Sequence, residues 1–597
     1  MICGRIRLST ASVLYSTASL LLKQEINITN CQTSAVSSMI RKRSQLYAMS
    51  TNHNHHHHHP SKSSNDGHVH RVCVKCMGEG RVVAKQRRTK KSRQQYKRAK
   101  AAATRENKEF IPLPLPELRY EQCGCCSGSG LILASKNLDL SHLKNEDEVA
   151  LREHQHQSIE KHVAIIGGGI GGIALALSLQ HRNIPYTVYE RDSSFAERRQ
   201  GYGLTMQQGA KALKGLGFDY ANAYSYACSD GTSGAEIERF GIHSKRHIVH
   251  KSDGTKVGEW GMKIWGRNKE SDAGRQNAHI SRQELRRLLM DRVDSERIKW
   301  GYKLIDFVEG DDGVLMRFDT KDGHVSAHAD LIVGADGIRS AVRKQKLQDH
   351  YPLRYLGCIV VLGITATPKS SLVDGETVFQ TADGVTRLYA MPFAAAGKAT
   401  AGTKTDYGVD PCRGETMWQL SFPMKEEDAK RLSAGGAIAL KKEAMSRCGF
   451  WHDPVPTLLE TTPEHLISGY PVYDREILDG GMLRAGCDNR KNSRVTLIGD
   501  AAHPMSPFKG QGANQALIDS LSLARSLFRV FTSAGEPNDD IATALEEYEI
   551  EMLNRSRPKV KASAEAAQFL HTEIAIKKGN VTRGAAASDL NGEISSN

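Results

Sequence analysis

A β-branched run, Lys161-His-Val-Ala-Ile-Ile166, passes directly into Gly167-Gly-Gly169-Ile-Gly-Gly172. Ile173 to Gln180 then reads as the start of a helix, and Pro185-Tyr-Thr-Val-Tyr-Glu190 as the next strand. No other feature restricts the fold as tightly, because strand, glycine turn, helix and strand in this order make a βαβ unit of a parallel sheet. Gly167 makes the tight turn, Gly169 withdraws a side chain so that a pyrophosphate can approach, and Gly172 lets helix and strand pack closely. The helix N-terminus, with its unpaired N–H groups, faces the phosphates. Glu190, 18 residues past Gly172, is placed to accept from a ribose and argues against a 2′-phosphate there. The dinucleotide this unit binds is therefore FAD or NAD rather than NADP.

Such a unit is only part of a 597-residue chain, which at about 150 residues per domain has room for three or four domains. Hydrophobic residues at 39% and charged residues at 25% supply a real core and exclude a wholly disordered chain. The most apolar long run, Val163 to Leu179, has 17 residues and five glycines, short of a spanning helix. The net charge of +14 resembles a nucleic-acid signal until it is located: residues 1–150 carry +13 of it. The remainder is near neutral and need not meet a polyanion. Twelve cysteines in this length are no disulfide scaffold, and a reducing compartment is expected.

Residues 1–65 are rich in Ser and Thr with a single acid, Glu25, and contain the polyhistidine tract His55 to His59. That is the composition of an organelle transit peptide (mitochondrion or plastid) followed by a low-complexity leader. Residues 66–135 hold two matching units, Cys73-Val-Lys-Cys76-Met-Gly78-Glu-Gly80 and Cys123-Gly-Cys-Cys126-Ser-Gly128-Ser-Gly130. Two thiolates three apart can grip one Zn2+ from a tight turn, and two such knuckles complete a four-thiolate site of Cys73, Cys76, Cys123 and Cys126. Cys125 leaves open which of its pair ligates. The pattern resembles half of the cysteine-rich zinc domain of DnaJ-type chaperones, with two repeats where that family has four; no His-Pro-Asp motif of a J-domain is present. Between the knuckles, residues 81–100 carry ten positive charges and no acid, either an arm for an anionic partner such as RNA or a membrane, or a solvated helix. Residues 136–160 read as a linker.

Two further segments decide between FAD and NAD. Asp330-Leu-Ile-Val-Gly334-Ala-Asp336-Gly is a buried-type strand ending in an acid. Arg494-Val-Thr-Leu-Ile-Gly499-Asp500 is another, followed by His503, Pro507, Gly510 and Gly512 and by a helix from Gln515 to Leu527. Each delivers an Asp at the carboxyl end of a strand, where α/β sheets bind ligands. In this order over about residues 161–560, the three segments resemble those of the class A flavoprotein monooxygenases, the p-hydroxybenzoate hydroxylase-like family. The resemblance implies that Gly167, Gly169, Gly172 and Glu190 hold the ADP half of FAD, that Asp336 lies in a segment serving FAD and indirectly NAD(P)H, and that Asp500 meets the ribityl chain. It implies that Pro507 sits beside the flavin ring where oxygen reacts and that Gly512 opens a helix N-terminus towards the flavin. It also makes Arg282, at the start of Arg282-Gln-Glu-Leu-Arg-Arg-Leu-Leu289, a cofactor contact, and more loosely the loop Arg198-Arg199-Gln-Gly201-Tyr-Gly203.

The expected architecture is α/β: a Rossmann-like FAD part (about 161–240, 275–345 and 490–560) interleaved with a mostly antiparallel substrate sheet (about 241–274 and 346–489), a small N-terminal zinc module, and a tail over 561–597. The family's chemistry implies that NAD(P)H reduces FAD, that O2 adds to the flavin, and that the flavin hydroperoxide hydroxylates or epoxidises a small aromatic or apolar substrate. The absence of a second dinucleotide fingerprint fits a nicotinamide that docks transiently. Trp260, Trp265, Tyr389, Trp418, Phe422 and Met424 could line a flat pocket, though each such residue is more often core. A different class of function, a zinc-tethered regulatory protein with the FAD fold as scaffold, is disfavoured by the intact glycines and both Asp motifs. A halogenase is disfavoured because its Trp-x-Trp-x-Ile-Pro motif is absent.

Overall fold

A computed structural model of the protein describes residues 70–83, 120–133, 159–197, 202–218, 242–261, 278–394, 414–479, 482–483, 493–532 and 539–577. All of them belong to one compact unit, Gly67–Asn597. The leader, most of the basic arm, most of the linker, the end of the tail, Arg198, Arg199, Gly201 and Trp265 lie outside the described residues.

Two short ladders open the chain. β1 (His70–Val72) pairs antiparallel with β4 (Leu131–Leu133), and β2 (Arg81–Val83) with β3 (Tyr120–Gln122). Each ladder therefore joins one cysteine knuckle to the other.

The body is built on a five-stranded parallel sheet, ordered β12 (Ile298–Trp300), β6 (Tyr186–Glu190), β5 (Val163–Ile166), β16 (Leu331–Gly334) and β22 (Val495–Leu497). Its central strands are uninterrupted apolar runs because both faces are covered, and every residue of β5, β16 and β22 is buried. Helix α1 (Ile170–Gln180) follows β5 and packs against α8 (Gly512–Thr532), where Ser520 Oγ donates to the Gly171 carbonyl at 2.8 Å. These start three residues earlier in each case than the sequence suggested, at the glycine turns themselves. Around this core lie α2 (Gly209–Gly215), α3 (Arg282–Met290), α4 (Ala341–Lys346), the meander β13 (Lys303–Gly310), β14 (Gly313–Thr320) and β15 (Gly323–Ala329), and the long α9 (Asp539–Phe569).

A second, seven-stranded sheet runs β10 (Lys256–Trp260), β9 (Arg246–Lys251), β18 (Thr377–Ala382), β19 (Arg387–Ala394), β20 (Glu415–Pro423), β17 (Leu353–Ala366) and β21 (Ile467–Arg475). All its pairings are antiparallel except β9 with β18. One face, with Phe379, Leu388, Trp418 and Phe422, is buried in a core with α5 (Glu426–Ala434), α6 (Gly436–Cys448) and α7 (Val455–Thr461). Side chains alternate along a strand, so Arg387, Tyr389, Met391 and Met417 point the other way. That opposite face meets the body through Tyr202, which packs with Met391 and Met417. Between the sheets, β7 (Gly203–Met206), β11 (Ala278–Ser281) and β8 (Ile242–His243) form a three-stranded link. The expected α/β architecture with interleaved parallel and antiparallel parts is thus present.

Candidate active site

The two cysteine knuckles close on one another. Cys73, Cys76, Cys123 and Cys126 are all buried, and their four Sγ atoms lie within 4.8 Å of one another. Cys73 and Cys123 Sγ are 4.0 Å apart, Cys76 and Cys126 Sγ 3.7 Å. A tetrahedron of sulfurs about 2.3 Å from a central ion has edges of about 3.8 Å, so this donor set could hold one tetrahedral metal. Gly80 N–H donates to Cys76 Sγ and Gly130 N–H to Cys126 Sγ, each at 3.2 Å, a symmetric second layer of support. Gly80 and Gly130 have φ of +74° and +81°, and a Cβ on either would stand 2.3 Å from a carbonyl of the opposite knuckle. Only glycine fits there, which is why the CxxCxGxG spacing repeats. The exposed Cys125 stands apart from the cluster, which resolves the choice within its pair in favour of Cys126.

The larger site lies where α1 and α8 begin. Gly167 has φ +109°, and a Cβ there would meet the Ala335 carbonyl at 2.5 Å. A Cβ on Gly172 would stand 1.9 Å from the Gly167 carbonyl, so this glycine serves helix–strand packing. A Cβ on Gly169 would meet no atom within 4 Å. The turn therefore keeps open space at that position, as a phosphate cradle requires. Glu190, at the end of β6, accepts from Gly168 N–H at 2.6 Å and from Asp192 N–H at 3.0 Å, which ties its carboxylate to the glycine turn.

Asp500 and Asp336 end neighbouring strands. Asp336 Oδ2 accepts from Ala341 N–H at 2.7 Å and so caps α4, while Oδ1 is buried with no partner among the described residues. Burial pushes its pKa up. Asp500 is exposed, but within a cleft: no hydrogen bond reaches its carboxylate from the described residues, and the surrounding protein raises its pKa despite the nearby charges of His503 and Arg282. Arg282 begins α3 behind the cap Ser281, and its guanidinium lies over the Tyr202 ring, 5.5 Å from the centroid. Tyr202 and Tyr470 both have raised pKa values through desolvation and both feel Asp500 and Arg282. The structure thus brings Arg282, Asp500, Tyr202 and Tyr470 to one cleft. Gly512 is beside it, since a Cβ there would lie 3.5 Å from Asp500 Oδ1. Pro507 starts the turn Pro507–Lys509, which ends in Gly510 at φ +60°. Phe508 of that turn packs edge-on against His571.

Several residues that shape this site carry no motif. His503 Nε2 and Gly499 N–H each lie 2.8 Å from Asp519 Oδ2, and Arg555 donates to Asp519 Oδ1 at 2.8 Å. Burial alone would raise the pKa of Asp519, but the charges and hydrogen bonds of His503 and Arg555 outweigh it and hold it low. Asn514 Oδ1 accepts from Gln207 and Gly209 N–H, and its Nδ2 donates to the Thr205 and Gly510 carbonyls, joining the turn that ends in Gly510 to β7 and α2. Arg387, on the cleft-side face of the seven-stranded sheet, is 5% exposed, and among the described residues no carboxylate pairs with it. Its Nε donates to Gln380 Oε1 at 2.8 Å, its guanidinium lies over Tyr389, and burial lowers its pKa to about 10. Gln380 Nε2 is buried without a partner among the described residues. Of the aromatic candidates, Trp418 and Phe422 point into the helix-covered core and Met424 packs there, so they do not line the cleft. Tyr389 is on the cleft side, and Trp260 stacks on His247, which approaches Tyr389.

This geometry can be set beside known proteins. A family model described as an FAD binding domain matches residues 160–382 and 475–562. Aurachin C monooxygenase/isomerase of Stigmatella aurantiaca is 30% identical over 367 residues, covering 61% of this chain and 80% of its own length. The 3-amino-4-hydroxybenzoate 2-monooxygenase PtmB3 of Streptomyces platensis is 28% identical, covering 68% and 88%. Among solved structures, Klebsiella pneumoniae HpxO complexed with FAD and uric acid superposes with a TM-score of 0.54 at 22% identity, covering 73% of this chain and 94% of that one, which is a likeness of fold. The glycine turn, both strand-end acids and the five-stranded parallel sheet thus stand within the matched segments, and the chain belongs to the FAD binding domain family as an FAD-dependent oxidoreductase of the monooxygenase kind.

Proposed function

We propose that this protein uses NAD(P)H and O2 to insert one oxygen atom into a small aromatic substrate that carries an acidic or strongly hydrogen-bond-accepting group. The observation that carries the reading is the convergence of two helix N-termini, the open position at Gly169 and the Asp500 carboxylate, unpartnered among the described residues, at the cleft that Tyr202 and Tyr470 share. These residues fit FAD: phosphates at Gly169, ribityl hydroxyls at Asp500, and the ring edge near Gly512 and Pro507. When bound, FAD supplies the redox and oxygen chemistry. The chain supplies orientation and dryness, with Arg282 and Tyr202 holding one wall and Pro507 and Phe508 shaping the other. The buried Arg387 and the Gln380 Nε2, which has no partner among the described residues, support an acceptor-bearing substrate, since a buried cation without a counter-charge is costly. The named substrates of relatives such as 3-amino-4-hydroxybenzoate agree with that class.

Three variants test these assignments. Asp500→Ala removes the acceptor proposed for the ribityl hydroxyls, a loss of about 1–3 kcal/mol in the cofactor complex, so FAD affinity falls by about tenfold or more in a fluorescence titration. Pro507→Gly keeps most of the FAD but leaks hydrogen peroxide during NAD(P)H oxidation, measured by a peroxidase-coupled assay; an unchanged peroxide yield removes Pro507 from the oxygen site. Arg387→Met raises KM for acidic substrates by about tenfold or more while leaving neutral analogues unaffected. Equal effects on both classes would mean that Arg387 is structural.

The cysteine cluster supports a second assignment, one Zn2+ per chain on Cys73, Cys76, Cys123 and Cys126. Elemental analysis of the purified chain should return one zinc. None, or two, contradicts the assignment.

A further inference from the structure

The cysteine knuckles rest on the body, against the far ends of the two helices whose N-termini form the cofactor cleft. Arg182, two residues beyond α1, is 1% exposed and donates to the Gly78 carbonyl of the first knuckle at 3.3 Å. Arg525, in the last two turns of α8, reaches Ser129 O of the second knuckle at 3.5 Å. Its Nη2 also stands 3.3 Å from where a Cβ on Gly80 or Gly130 would be, directly behind the glycines whose N–H groups bond the cysteine sulfurs. Lys214, at the end of α2, donates to Ser127 O at 3.1 Å, and Arg529 lies 3.6 Å from Glu79.

Four cations of the body thus meet the knuckles, and Glu79 is the one acid named in these contacts. The imbalance is sharpest in the buried layer. Arg182 has no salt bridge among the described residues, the Nε atoms of both Arg182 and Arg525 are buried without a hydrogen-bond partner among them, and the one nearby carboxylate, Glu79, is shared by both arginines and Arg529. Burying guanidinium groups together is strongly unfavourable unless a negative charge lies nearby. Four thiolates around a divalent cation carry a net charge of −2, and the cluster sits immediately behind the glycines that Arg182 and Arg525 touch.

Resting on the zinc reading of the cluster, we propose that the metal-loaded tetrathiolate is the counter-ion of Arg182 and Arg525, and that the knuckles dock on the ends of α1 and α8 only when the metal is bound. Without metal, nothing holds the four sulfurs of the two knuckles together, the arrangement that presents the Gly78 and Ser129 carbonyls to the arginines loosens, and Glu79 alone is left to face two buried guanidinium groups. They regain water by releasing the module. The docked module is then a metal-dependent clamp on the two helices that present the cofactor site. This differs from an independent module dispensable for the flavin body, which the polar linker alone suggests.

The test uses the full-length, FAD-loaded protein, with amide hydrogen exchange followed over peptides spanning 174–184, 210–218 and 521–532, before and after zinc removal by a chelator. Chelation is expected to speed exchange at these helix ends by about tenfold or more, and re-adding zinc to restore protection. The double variant Arg182→Met, Arg525→Met keeps its four cysteines and its zinc, but its helix ends should no longer respond to chelation. A protein that holds zinc, loses it to chelator and shows unchanged exchange at these ends overturns the docking proposal while leaving the zinc site intact. A protein that contains no zinc at all overturns the zinc reading itself, and the clamp with it.

Discussion

Gly169→Asp should yield a folded, colourless protein. A Cβ at this position meets nothing within 4 Å, so the substitution starts into open space and the variant should keep the melting behaviour of the parent chain. Its carboxylate would instead occupy the opening at the N-terminus of α1, against the pyrophosphate in the binding mode proposed above. Like charge and lost volume act together, and FAD binding should fall by about a hundredfold or more, from an unfavourable interaction of about 3 kcal/mol. Absorbance of the purified variant at the flavin bands checks this, with circular dichroism to verify folding. A yellow Gly169→Asp protein with stoichiometric FAD would remove the glycine turn from the site.

Asp519→Ala should be the most destabilising single change near the cleft. Asp519 is buried among His503, Arg555 and the Gly499 N–H, and all three lose their acceptor at once. Removing one partner from a buried charge network costs about 3–5 kcal/mol. The turn carrying Asp500 and Pro507 is anchored by this network to α8 and α9, so cofactor affinity should fall together with the unfolding midpoint. Because the folded-state pKa of Asp519 is held low, the stabilisation is present above the ordinary carboxylate range and disappears only as pH falls through the depressed value. Denaturant melts of wild type and Asp519→Ala at neutral pH and in strong acid check both statements. Equal stability at neutral pH contradicts the network's role.

The parts of this molecule that were legible in the sequence are those set by local backbone chemistry. The turn at Gly167 and Gly172 could be read because no other residue fits against the Ala335 and Gly167 carbonyls. The knuckles could be read for the same reason, at Gly80 and Gly130. The strands Leu353–Ala366 and Glu415–Pro423 carry β-branched and aromatic runs, which suit a pleated, buried surface. What stayed hidden depends on partners far apart in the chain. Trp418 and Tyr389 look alike as pocket aromatics until strand register sends one into the helix-covered core and the other to the cleft. Arg387 is one arginine among many until burial removes its water. Asp519 offered one signal, an acid inside an otherwise apolar helical pattern, but its partner Arg555 is on another helix. Arg182 and Arg525 touch knuckles that precede them by about a hundred and about four hundred residues, and no local pattern reports such a contact.

The most direct measurement of the central claim is oxygen transfer itself. The purified chain, reconstituted with FAD and supplied with NADH or NADPH, is incubated under isotopically labelled dioxygen with a panel of acidic phenols and heteroaromatics, and the products are weighed by mass spectrometry. The account predicts that at least one substrate both stimulates nicotinamide oxidation and gains a single labelled oxygen atom from dioxygen, with none from labelled water. Nicotinamide oxidation that returns only hydrogen peroxide across the panel, or a product labelled from water, would contradict it.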